Sequence, residues 1–189
     1  MALRRGFKTE ANGLGAEMRH ELGLRALDRL DPFALAAHLA IPTVALSTLR
    51  EEAPGVSYLL DIEPESFSAI TVFHGRRRQI VYNDQNSPGR QNSDVGHEVA
   101  HGLLHHEPHP ALDDHGCRLW DQDMEEEANW LAGVLLVPEE AALAVARGRI
   151  PELIALDHFG VSEPMLNWRL NITGARIRVR RAQARYGRP

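Results

Sequence analysis

The sequence predicts an α+β fold, with a small antiparallel sheet, three-stranded or slightly larger, packed with a helical bundle. Two observations carry this. Residues 43–82 are rich in β-branched and aromatic side chains punctuated by Pro54-Gly55, Glu63-Pro64 and Gly75, whereas the flanking segments show helical apolar spacing and helix-cap residues. A chain of 189 residues is also long enough to bury one core and carry a short appendage.

In chain order, residues 9–30 read as a helix, with Ala16, Leu22, Leu27 and Leu30 loosely on one face and Gly13, Gly15 and Gly23 weakening it. Asp31-Pro32 marks a second helix start, an aspartate cap followed by proline at the first position, with the helix ending before Pro42. Strands are expected at 43–49, 57–61, 67–74 and 79–82, the last two forming a hairpin around Gly75. After a polar loop a helix is expected over 93–106, stopped by Pro108, and another over 123–137 with acidic residues in its first turn. Short helices fill 139–171, separated by residues 148–151 and by Gly160. The expected organisation is one domain over 1–147 and a helical extension over 148–189.

Composition narrows the function classes. Cys117 is the only cysteine, which excludes a disulfide framework, and no apolar stretch approaches the roughly 20 residues of a membrane span. The first residues carry charge where a signal peptide would carry an apolar block, so a reducing, cytoplasmic setting without a membrane partner is expected. The net charge of −5 conceals two uneven segments: residues 107–127 hold eight acids against one arginine, and residues 174–189 hold six arginines and no acid. Six of the ten histidines fall between His97 and His115, which makes metal chemistry the leading question.

His97-Glu98-Val99-Ala100-His101 is an H-E-x-x-H string. On a helix the two imidazoles share a face and converge on one metal ion, while the glutamate between them is placed as a general base. Composition alone would give ~0.04 accidental matches. The helical context agrees: Val95, Val99, Ala100, Leu103 and Leu104 occupy one arc, and His97, Glu98, His101 and His105 the adjoining one. A third ligand is needed. Glu107 has the metzincin spacing, but Leu104 stands where that arrangement needs glycine. Of Glu125, Glu126 and Glu127, Glu126 points away from the apolar arc set by Ala128, Leu131, Ala132, Val134 and Leu135; Glu125 and Glu127 border it on opposite sides. Glu127 is the expected ligand. Zn²⁺ suits two imidazoles and a carboxylate, with Mn²⁺ able to replace it in vitro.

The strings SDVGHEVAHGLLHH and EEEANWLAGVLLVPEE, preceded by FSAITVFHGRRRQIVYND, resemble the ImmA/IrrE family of bacterial zinc metallopeptidases over roughly residues 10–140, with a weaker continuation to about 171. Leu131 departs from the phenylalanine usual there. The resemblance implies a minimal gluzincin-like peptidase with zinc held by His97, His101 and Glu127, and Glu98 as general base. It also implies a protein substrate, a helix-turn-helix repressor cut in a stress-response or mobile-element switch. Competing readings are a toxin-like binding protein paired with an antitoxin, and a DNA-binding regulator using residues 151–189, where Asn167 and Arg169 are nearly the only candidates for base readout. Tyr82, His74, His105 and His158 are the oxyanion candidates by chemistry. Ile80, Val81 and Tyr82, expected at the sheet edge nearest the metal, are the expected substrate-binding strand.

Overall fold

The computed structural model describes residues 3–75, 77–106 and 121–186. Helix α1 (Phe7–Glu21) is shorter than its apolar spacing suggests. Gly23 takes a left-handed conformation (φ 69°), and the Leu24 N–H returns to the Arg19 carbonyl, closing the helix end. Asp31 caps α2 (Pro32–His38) through bonds from the Phe33 and Ala34 amides. Strand β1 (Thr43–Ala45) passes into a 3₁₀ turn (Leu46–Leu49) and then α3 (Gly55–Asp61). The strand expected at 57–61 is therefore helical, because Val56 and Leu60, one turn apart, bury together against Leu46 and Val81.

Strands β2 (Ala69–His74) and β3 (Arg77–Tyr82) form the expected hairpin, with Gly75 at φ 61°. The sheet order is β1-β3-β2, and β1 runs parallel to β3, so the sheet is mixed and not wholly antiparallel. This corrects the expectation for Ile80, Val81 and Tyr82. They lie on the central strand, with main-chain groups engaged on both sides, Ile80 N–H reaching the Pro42 carbonyl at 2.8 Å. Ile80 and Val81 are buried, and the Tyr82 ring packs edge-on against Phe33. No substrate strand can add there. Among the described residues the edge strands are β1 and the longer β2.

Helix α4 (Pro88–Leu103) starts earlier than expected, with Pro88 in its first turn, and α5 (Gln122–Leu136) is capped by Asp121. Then follow α6 (Glu139–Ala146), α7 (Glu152–Phe159), α8 (Glu163–Ile172) and α9 (Ala175–Tyr186). Helix α5 packs against both α1 and α4 and is buried from Trp130 onward. Its C-terminal carbonyls are met by two buried arginines, Arg19 on Leu135 O and Arg169 on Val137 O. Close packing of α5 on α8 depends on Gly133, where an added Cβ would lie 2.4 Å from Arg169 Cδ and 2.5 Å from Trp168 Cζ3. Phe159, Leu166 and Leu170 of α7 and α8 join the same core as Phe7, Val95, Val99 and Leu131. Arg169 is thus committed to the interior, and Asn167 accepts a bond from Arg176. Among the described residues no single helix is long and apolar enough to cross a membrane.

Candidate metal centre

Helix α4 buries Val95, Val99 and Ala100 and turns its other face toward α5, bringing His97 and His101 together. Their Nε2 atoms are 3.0 Å apart, with rings crossed at 72°. The carboxylate that meets them is Glu125, at 3.2 Å from His97 Nε2 and 3.6 Å from His101 Nε2. One ligand atom from each of the three lies within 4.8 Å of the others. Two imidazole nitrogens and one carboxylate oxygen are the donor chemistry of a divalent ion such as zinc.

The sequence-expected third ligand, Glu127, is placed elsewhere. Two residues along a helix rotate a side chain by about 200°. Glu125 therefore faces α4, whereas Glu127 faces the segment before α1, where its Oε1 lies 2.8 Å from Arg4 Nε. Glu127 Oε2 is 3.7 Å from His106 Nε2, and His106 Nδ1 is 2.9 Å from His101 Nδ1. Arg4 also grips Glu10 with both terminal nitrogens at 2.7 Å and lies over the Phe7 ring. His106 and Arg4 carried no signal in the sequence beyond the His105-His106 pair, since both join the site through contacts between distant parts of the chain.

The other nitrogen of His97 is 3.0 Å from Asn129 Oδ1, one turn after Glu125 on α5. Glu98 stands outside the three-ligand group and accepts a 2.6 Å bond on Oε2 from the Thr71 hydroxyl of β2. Of the oxyanion candidates, His158 is committed to the Leu27 carbonyl and Tyr82 to Phe33; His74 ends β2 and His105 sits at φ 54° after α4.

Electrostatics follow the contacts. Burial pushes the Glu125 carboxyl up, but His101 and His97 outweigh it and hold it below the usual carboxylate range. Burial pulls His97 down, and Glu125, Glu98 and Asn129 reverse this and raise it. Burial, aided by His101, depresses His106 to about 4, so its ring is neutral at pH 7. Glu127 is raised by burial against the pull of Arg4. One turn before the site, burial lifts Asp94 to about 6 against Arg90 and His97, and among the described residues its Oδ2 finds no hydrogen bond.

Against known proteins, residues 60–171, more than half of the chain, match the family model described as IrrE N-terminal-like domain, peptidase M78. No curated protein and no solved structure matches.

Proposed function

Because the chain belongs to the IrrE N-terminal-like family of peptidases, M78, we propose that it is a zinc-dependent endopeptidase that cuts an extended segment of a cytoplasmic protein, the substrate class being a helix-turn-helix repressor or an antitoxin. The observation that carries this reading is the convergence of His97, His101 and Glu125 beside a glutamate that is not among them. His97 Nε2, His101 Nε2 and the Glu125 carboxylate would hold the ion. When bound, such an ion supplies Lewis acidity toward water and a peptide carbonyl.

The protein's own groups do the rest. Asn129 Oδ1 accepts a hydrogen bond from the Nδ1–H of His97 and so leaves Nε2 with its lone pair toward the ligand cluster. Thr71 holds Glu98 Oε2, which keeps Oε1 available to take a proton from the attacking water and return it to the leaving amine nitrogen. Substrate adds to β2, the strand that also carries Thr71. The Asn83 N–H to Ser68 O bond sets the ladder's alternation, so Ile70 and Val72 point their main-chain groups at β3 while those of Ala69, Thr71 and Phe73 face outward. Those three offer the free edge for an antiparallel peptide.

The test combines metal analysis with cleavage of a repressor encoded beside this chain's gene, supplied with Zn²⁺ or Mn²⁺. Glu98→Gln should keep one metal per chain and abolish the cut. Absence of stoichiometric metal in the unaltered protein, or cleavage by Glu98→Gln, refutes the reading.

A further inference from the structure

The contacts of Glu127 form a chain that ends at a metal ligand. In the ligand set proposed above, on which this inference rests, His101 uses Nε2, so its proton sits on Nδ1. The atom 2.9 Å from that Nδ1 is His106 Nδ1, which must then accept. An imidazole that accepts at Nδ1 carries its proton on Nε2, and His106 Nε2 faces Glu127 Oε2 at 3.7 Å. Glu127 Oε1 is fixed in turn by Arg4 Nε, and Arg4 is held by its fork on Glu10 and its stacking on Phe7. The hydrogen bond runs from His101 to His106, whose own N–H is turned toward the Glu127 carboxylate at a distance longer than a hydrogen bond, with Arg4 holding that carboxylate at the far end. His106 and Glu127 expose only 10% and 12% of their side chains, so water is a poor substitute partner. The arrangement complements Asn129, which serves the second nitrogen of His97 from the same helix.

We propose that Arg4, Glu127 and His106 are positioning residues that fix the tautomer and ring plane of His101, making the segment before α1 a working part of the metal centre. Partners of this kind are worth about 10- to 100-fold in metal affinity. Each is a positioning residue because it acts through His101.

The experiment uses the full chain, with Zn²⁺ affinity measured by chelator competition and the His101 Nδ1 proton followed by long-range ¹H–¹⁵N correlation on ¹⁵N-histidine-labelled protein. Glu127→Ala should weaken zinc binding about 10- to 100-fold and broaden or remove the His101 Nδ1–H signal. Arg4→Ala, at a half-exposed position that folding tolerates, should shift both readouts in the same direction but less. The double variant should be no worse than Glu127→Ala, because Arg4 acts only through Glu127. Wild-type affinity and an unaltered His101 signal in Glu127→Ala overturn the proposal while leaving the peptidase reading intact. Complete loss of zinc in Glu127→Ala with full retention in Glu125→Gln also overturns it, by making Glu127 a ligand. Failure of the unaltered protein to bind zinc is the distinct result that removes the peptidase reading itself.

Discussion

Asp94 makes α4 less stable than it could be, and the effect has a sign that can be measured. Its carboxyl titrates at about 6 in the folded protein, against about 3.9 for an aspartate in water. The folded state therefore holds the proton more tightly than the unfolded chain. Stability from this group is fully present below pH 4 and is lost as pH rises through 6. A difference of about 2 pH units corresponds to about 3 kcal/mol. The pull of Arg90 Nε, 3.7 Å away, is already part of that shift. Asp94→Asn keeps the shape of the protonated form and cannot ionise. Urea unfolding of both proteins in EDTA, between pH 3.5 and 8, should give curves that nearly coincide at the acid end and separate by about 3 kcal/mol at pH 8, with the asparagine protein the more stable. Comparing the two proteins at each pH cancels the other titrating groups, apart from changes in His97 and Glu98, whose charges act on Asp94 directly. A pH-independent difference, or an asparagine variant less stable at pH 8, refutes the reasoning.

Two further outcomes follow from packing and from the sheet edge. Gly133→Ala should cost about 1 to 3 kcal/mol, seen as a lowered Tm with unchanged metal stoichiometry, because the new methyl group meets Arg169 and Trp168 well inside contact distance. Phe73→Pro removes one outward main-chain donor of β2 and should lower kcat/KM about 3- to 10-fold with zinc affinity unchanged, whereas Phe73→Ala, which keeps the donor, should lose less; equal effects of the two would refute strand addition at β2.

The helices that carry the site were legible because their signals are local. The Asp31 and Asp121 caps, the apolar arc of Val95, Val99 and Ala100, and the H-E-x-x-H spacing each lie within a few residues, and the structure realises them as helices. The choice between Glu125 and Glu127 was not local. Both border the apolar arc of α5, and which border meets α4 is decided by how α5 seats between α1 and α4. Sheet order failed for the same reason. Nothing within residues 77–82 announces that the three-residue β1 will pair in parallel on the far side and leave β3 in the middle of the sheet. Residues 57–61 show the opposite error, where side chains that favour strands were overruled by the burial of Val56 and Leu60 together.

The three converging side chains come from only two helices, and His101 and Glu125 are separated by 23 residues of intervening chain. An ion gripped by both would act as a cross-link, closing that loop much as a disulfide does in a chain whose one cysteine cannot form an internal bridge. Binding to the folded form alone adds about 4 kcal/mol when free metal stands a thousandfold above Kd. The supply of metal would thereby bear on the lifetime of the protein: starved of metal, α4 and α5 would lose one of the ties between them and the chain would unfold, and be degraded, more readily.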